Sequence, residues 1–296
     1  MKLVFVFLLF MAFTIKNNAQ ESLVYLNQKA PSTTPEIFAP DIISKQKEYE
    51  FGSVFSKDGT EFFYGVDING KSEIRYTKLD GNSWITPKTI IVHENYGFND
   101  PFLSPDENRL YYISNMPLSG VGDGKDYDIW YSTKNPEGWS KPKNAGKNIN
   151  TNSNEYYISF TQQGTMYFSS NKEAVKDNNG DFDIYASKNE DGLFQKPSRL
   201  PEAINTKAYE ADVFVASDES YVIFCATRKE GLGRGDLYIS FKNDDGSWTK
   251  SKNMGEPINT SGHELCPFVT KDGKYFFYTS KKDIYWVDAK ILEQYR

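Results

Sequence analysis

The chain has little of what most catalytic or nucleic-acid-binding proteins display. It has two histidines, His93 and His263, in 296 residues. That excludes a three-histidine metal centre, and with it the metal-dependent chemistry that such a centre carries. It has two cysteines, Cys225 and Cys266, enough for one disulfide or two buried thiols and too few for a disulfide framework. No basic cluster interrupts a chain of net charge −6, which argues against nucleic acid as a partner. No Gly-x-Ser-x-Gly elbow occurs, and the Asp-Gly pairs are adjacent rather than spaced as in a sialidase Asp box. Helical periodicity over ten or more residues is missing after the N-terminus, and so is any apolar run long enough to cross a membrane.

One apolar run does exist, from Leu3 to Ile15 within "MKLVFVFLLFMAFTIKNNAQ". It follows Lys2, is short for a bilayer span, and ends in a polar stretch closing on Ala19. This pattern is that of a secretory signal peptide over residues 1–19, so the expected product is soluble and exported, periplasmic or secreted. Cleavage removes Lys2 and Lys16 and no acid, which moves the net charge from −6 to −8.

Aromatics are what the chain has in abundance: 16% of residues, with twenty Tyr and twenty-one Phe, gathered in runs such as "EFFYGV", "RLYYIS" and "YFFYTS". Such runs favour pleated strands, and the class is all-β. The runs recur with a fixed grammar. A turn of the form Ser/Thr-x-Asp-Gly opens five segments at Ser56, Ser104, Thr161, Ala216 and Thr270, at offsets of 48, 57, 55 and 54 residues. After each comes a second landmark, "EIRY", "DIWY", "DIYA", "DLYI" or "DIYW", and after the first four a turn ending in an aromatic, as in "DGNSW". Each unit reads as four short antiparallel strands, and repetition at this period is the signature of a β-propeller.

Residues 20–296 are therefore expected to form a single propeller of five blades, six being the alternative. The repeats run over about 50–97, 98–154, 155–209, 210–263 and 264–296. The last unit stops after its third strand. The Pro-containing stretch from about 30 to 45 is expected to supply the fourth and pin the ring shut.

"LSPDENRLYYISN", followed by "DIWY", "WSKP" and "INT", resembles the TolB-type, WD-like propeller repeats of bacterial exported proteins, from about Glu50 to the C-terminus. The resemblance implies the propeller fold and a role in periplasmic or surface binding and scaffolding. Only Ser104-Pro105-Asp106 keeps the full turn triplet.

A motif Ile-Asn-Thr-x-x-x-Glu occurs three times, ending at Glu155, Glu210 and Glu264. Its first half has the reach to carry the chain from the rim back to the axis. Ile is expected to bury between blades, and Asn and Thr to pair turn backbone. The acids are harder to assign. Glu50, Glu155, Glu210 and Glu264, with Asp100 and Asp212 two residues further along their strands, are expected to converge at one mouth of the central channel. There they would bind a cation or a cationic peptide, or else lock one blade to the next. Asp177, Asn179, Asp181 and Asp183 alternate in a glycine-containing loop that resembles a calcium site without an EF-hand's sixth-position Gly or distal Glu. Solvated turn is the plainer reading, so no cofactor is required and calcium is the alternative. Tyr156, Tyr157, Trp130 and Trp286 are candidates for a sugar platform or, more simply, interblade packing.

The function expected is that of a monomeric, non-catalytic protein without a membrane span, engaging a protein or peptide of the cell envelope at the channel mouth. A carbohydrate-active enzyme or sugar-binding module using the same carboxylates is the alternative. The leader reading predicts that the exported protein begins at Gln20; mass spectrometry of the secreted chain checks this, and an intact Met1 would overturn it.

Overall fold

The computed structural model describes residues 24–173 and 181–296. Five antiparallel sheets are arranged as a five-bladed β-propeller, as the repeat predicts. Their inner strands are Tyr49–Phe55, Phe98–Leu103, Glu155–Phe160, Tyr209–Val215 and Leu265–Val269. We number blades 1 to 5 in that order. Second strands are Glu61–Ile68, Arg109–Ser114, Met166–Ser170, Tyr221–Thr227 and Tyr275–Ser280. Third strands are Lys71–Asp80, Asp128–Asn135, Asp183–Ser187, Asp236–Phe241 and Asp283–Asp288. Second strands are almost wholly buried, as the middle layer of a stack of packed sheets must be. Among the described residues no helix is long and apolar enough to cross a membrane.

The first landmark owes its Ser or Thr to a side chain that serves the hairpin from within. Ser56 Oγ donates to Asp58 at 2.7 Å and accepts from Glu61 N at 2.9 Å. Ser104 does the same with Asp106 and Arg109 N, and Thr270 with Asp272 and Tyr275 N. Gly59 and Gly273, at φ +69° and +71°, occupy the left-handed position that the turn requires.

The outer strands differ from expectation. The single fourth strand that each unit is read to have is broken in blade 3, over "LFQKPSRL". Instead Leu193–Phe194 folds back on Asn189–Glu190, and only Ser198–Arg199 pairs with the third strand. The break falls at Pro197, which has no N–H to give the ladder. Pro87 and Pro142 stand at the same place in blades 1 and 2, between Ser83–Trp84 and Lys88–Ile91, and between Gly138–Trp139 and Lys143–Asn144. In blade 4 the equivalent residue is Ser251, whose N–H leaves its own sheet for Ala203 O at 3.0 Å. A third-strand hydroxyl takes up the carbonyl freed nearby: Thr77 bonds Ile85 O and Ser240 bonds Thr249 O, both at 2.6 Å.

The N-terminal stretch closes the ring. Glu36–Ile37 pairs antiparallel with Trp286 and Tyr285 as the fourth strand of blade 5, and Phe38 N continues the ladder to Ile284 O at 2.8 Å. Phe38 has no exposed surface and packs edge-on against Phe62, Phe277 and Trp286, with ring centroids 5.1–5.3 Å away. It therefore ties blade 1 to blade 5. Phe38→Ala is expected to destabilise the protein by about 3–5 kcal/mol in denaturant unfolding, through lost burial and the cavity left behind. A loss below about 1 kcal/mol would show that the closure does not hold the ring.

Candidate functional site

The repeated connector explains most of its own sequence. Ile149, Ile204 and Ile258 are buried. Asn150, Asn205 and Asn259 each use the side-chain amide to bond both backbone groups of one third-strand residue in the preceding blade. Oδ1 accepts from the N–H of Ile129, Ile184 and Leu237, each at 2.8 Å, and Nδ2 donates to the same residues' carbonyls at 2.8–3.0 Å. The amide thus stands in for one residue of a neighbouring strand.

The Thr and Glu form a second device. In the three copies the Thr N–H and hydroxyl both donate to the Glu carboxylate: Thr151 to Glu155, Thr206 to Glu210 and Thr260 to Glu264, over 2.7–3.0 Å. A third donor completes each set. It is Ser170 for Glu155, Ser280 for Glu264, and the buried Arg228 guanidinium for Glu210. The Glu backbone N–H reaches across to the preceding blade, to Tyr127 O, Phe182 O and Gly235 O. Glu50, Glu155, Glu210 and Glu264 have no exposed surface. These four of the six expected mouth residues therefore lie inside the joints, where a ligand cannot reach them.

Glu50 is the odd member. Its Oε1 accepts from Lys45 N at 3.2 Å and its N–H reaches Lys282 O, but Oε2 is buried without a partner. Val66 pairs with it in register where Ser170 pairs with Glu155. Burial pushes its carboxyl up to about 7, with Glu48 and Asp283 adding to the rise and the Lys45 N–H opposing it.

The other two acids are on the axis. Each inner strand breaks register at one position: Gly52, Asp100, Tyr157, Asp212 or Cys266. All five have φ between +44° and +53°. These are β-bulges, and each turns one residue towards the centre of the ring. Cys266 Sγ lies 3.5 Å from Asp100 Oδ1, and Tyr157 donates to Pro267 O at 2.8 Å. Both contacts join non-adjacent blades, which can meet only at the axis. Gly52 is obligatory here, since a Cβ would sit 2.7 Å from Asp100 Oδ1.

Asp100 and Asp212 face the mouth on the connector side. Burial pushes Asp100 up to about 8, with the Asp212 charge adding to it and the Cys266 thiol opposing. Burial pushes Asp212 up to about 6 against the Cys266 backbone N–H. Among the described residues no lysine or arginine lies close enough to lower either carboxyl. Half-buried Tyr49, Tyr156 and Tyr209 stand around them. Their phenols are pushed up by burial first; Cys266 and then Asp212 and Asp100 add to this at Tyr49, Tyr127 and then Asp100 and Asp212 at Tyr156, and Asp212 at Tyr209. Tyr127, Tyr156, Phe182 and Tyr209 continue as a chain of rings 5.1–5.7 Å apart. This end of the axis thus places half-buried tyrosines around two desolvated carboxyls, chemistry suited to a cation or to a hydroxyl-rich ligand.

Asp177 and Asn179 lie outside the described residues. Asp183 is paired with Arg199 at 2.7 Å. Among the described residues no group of three or more His, Cys, Asp or Glu is placed to hold a metal ion. Cys225 and Cys266 are buried free thiols. His263 Nε2 lies 3.4 Å from Cys225 Sγ, and His93 stacks on Tyr96. Trp130, Tyr157 and Trp286 are buried and offer no sugar platform; of that set only Tyr156 stands beside the two carboxyls. Sequence reasoning missed Tyr49 and Tyr209. Their signal was adjacency to the aligned glutamates, since each immediately precedes one.

No protein-family model and no curated protein matches this sequence. Solved structures do resemble it. TolB from Acinetobacter baumannii superposes with a TM-score of 0.52 at 13% identity, covering 82% of this chain and 55% of that one. The chain therefore spans about half the length of that TolB. Endo-arabinase from Bacteroides thetaiotaomicron gives 0.54 at 15% identity, covering 88% and 97%. A protein of unknown function from Dyadobacter fermentans gives 0.51 at 14%, covering 88% and 83%. At such identities the likeness shows the propeller fold alone.

The orphaned Glu50 oxygen yields a signed prediction. Because the folded carboxyl is raised above its unfolded value, stability is fullest below about pH 4.5 and falls as pH rises to about 7. Glu50→Gln should therefore stabilise the protein above pH 7, by up to about 3 kcal/mol, and have little effect below pH 4.5. Urea unfolding at pH 8 and pH 4 checks this; equal effects at both pH values would refute it.

Proposed function

We propose that this chain is an exported, non-catalytic binding protein. It engages a protein or peptide partner at the tyrosine-lined mouth, with Asp100 and Asp212 receiving a cationic side chain. One observation carries the reading: two carboxyls are held at the axis inside a collar of phenol rings, with no cationic residue beside them among the described residues. A lysine ammonium or an arginine guanidinium satisfies both features, pairing with carboxylate and lying against aromatic faces. Withdrawal from water strengthens that attraction and at the same time raises the cost of leaving the site empty and ionised. The empty site is therefore expected to keep a proton at neutral pH and to release it when a cation enters. The TolB likeness supports the scaffold of this reading, and the N-terminal leader pattern supports export.

A carbohydrate-active role is the second reading. It is favoured by the separation of the two acids, Asp100 up to about 8 and Asp212 to about 6, as a proton donor paired with an ionised partner would require. The endo-arabinase likeness adds the shared scaffold and nothing about the site.

Titration with short peptides carrying Lys or Arg between apolar residues separates the two. Binding is expected to tighten about tenfold or more from pH 6 to pH 8 as the pair ionises, and to weaken about 10- to 100-fold in Asp212→Asn and Asp100→Asn. Binding indifferent to both changes would refute the cation reading. Release of reducing sugar from arabinan or another polysaccharide, abolished by the same variants, would establish the enzyme instead.

A further inference from the structure

The opposite end of the axis is built from different material. Phe102, Phe160, Phe214 and Phe268, one from each of blades 2 to 5, converge below the bulges. Ring centroids of Phe102–Phe160, Phe102–Phe268 and Phe214–Phe268 are 6.0–6.2 Å apart. Blades 2 and 5 are not neighbours, so the Phe102–Phe268 contact crosses the axis and closes the channel. Beyond these rings, on the side of the Ser/Thr-x-Asp-Gly turns, lies a cavity of about 150 Å³ whose wall also includes Val269. The wall is apolar on the phenylalanine side and polar at Ser217, Asp218, Thr270 and Lys271, and a cavity of about this volume accommodates a single benzene-sized ring.

The cup has one cationic group in its wall. Lys271 occupies the variable position of the blade 5 turn and is half-buried. Burial lowers its ammonium; Glu107 opposes that shift, and Lys57, at the same position of the blade 1 turn, adds to it. Among the described residues Lys271 makes no ion pair. Glu107 is already engaged by Lys57 N, and Asp218, the nearby acid in the cup wall, is held by the N–H and hydroxyl of Ser220. The amine is thus partly withdrawn from water beside an apolar cup, with its neighbouring carboxylates bonded elsewhere.

We propose that this cup is a second binding site, for a small apolar monocarboxylate: its ring or compact branched body fills the phenylalanine cup, and its carboxylate pairs with Lys271. Both halves of the ligand are dictated by the wall. The volume limits the apolar part to about one ring, and a half-buried ammonium without an ion pair among the described residues selects a carboxylate over an amide or an amine, since the anion offsets more of what burial took from the lysine. The site does not depend on the reading of the tyrosine-lined mouth, because the phenylalanine layer separates the two.

Phenylacetate is the probe, titrated into the mature protein by calorimetry, with phenylacetamide and phenethylamine as neutral and cationic controls of the same size. Saturable binding of phenylacetate with a dissociation constant on the order of 0.1–1 mM is expected for a ligand this small. The two controls should bind at least about tenfold more weakly. Lys271→Met should weaken phenylacetate about 10- to 100-fold at an unchanged melting temperature. Equal binding of phenylacetate and phenylacetamide, no saturable binding of phenylacetate, or full affinity in folded Lys271→Met would each overturn the proposal. Should that variant not fold, the carboxylate-to-amide ratio on the unaltered chain decides alone.

Discussion

The reach of one asparagine side chain into the preceding blade is the contact on which the ring's geometry depends. Blades are independent sheets, and nothing in a sheet's own ladder fixes its angle to the next. The amide of Asn150, Asn205 or Asn259 bonds both backbone groups of a single third-strand residue, so each connector is locked to the blade it leaves. Five residues on, the Glu N–H bonds that blade again and the carboxylate collects the Thr donors, so the blade it enters is locked to the same connector. A buried carboxylate is costly unless its lone pairs are filled. The Thr pair and one further hydroxyl or guanidinium fill them, so the joint is rigid because anything looser leaves a charge unpaired.

That rigidity carries consequences inward. Five blades at fixed pitch leave a narrow axis, so the bulge residues meet one another across it. The contacts of Cys266 with Asp100, of Tyr157 with Pro267 and of Gly52 with Asp100 are the result. Each non-glycine bulge residue sits in a left-handed conformation that costs about 1–2 kcal/mol, and four of the five are not glycine. The joints and strand pairs hold that strain. It brings Asp100 and Asp212 together where neither would be placed by an unbroken strand. Below them the pleat returns to register and delivers phenylalanines, giving one axis a polar, acidic end and an apolar end with a lysine at its edge.

Much of this was legible in the sequence. The turn landmarks gave blade number and order, and the truncated fifth unit pointed to the strand around Glu36 and Ile37 that completes it. The Ile-Asn-Thr spacing revealed the connector. The placement of the acids was only half legible. Glu50, Glu155, Glu210 and Glu264 align, and so do Asp100 and Asp212, but depth within the ring depends on a one-residue bulge that leaves no mark in composition. Without it, strand alternation puts all six acids on one face; with it, the glutamates turn into the joints and the aspartates to the axis. The broken outer strands were hidden for a related reason. Pro87, Pro142 and Pro197 mark the break, yet Ser251 makes the same one without a proline.

A repeat protein offers its own control for telling scaffold from site. Where positions face the same local surroundings the same side chains serve them, and Ile-Asn-Thr with its Glu recurs at three of the five joints because those three present the same backbone groups. The bulge positions face each other instead. Five identical residues there would crowd or repel, so the ring must break its own symmetry, and here it does so as Gly52, Asp100, Tyr157, Asp212 and Cys266. Structural necessity explains that they differ, and it explains Gly52 by the lack of room. It does not explain two carboxyls desolvated at the axis, where an apolar or hydroxyl side chain would cost less. By that argument the repeated glutamates are architecture despite being the more conspicuous motif, and the unrepeated aspartates are where a ligand is to be sought.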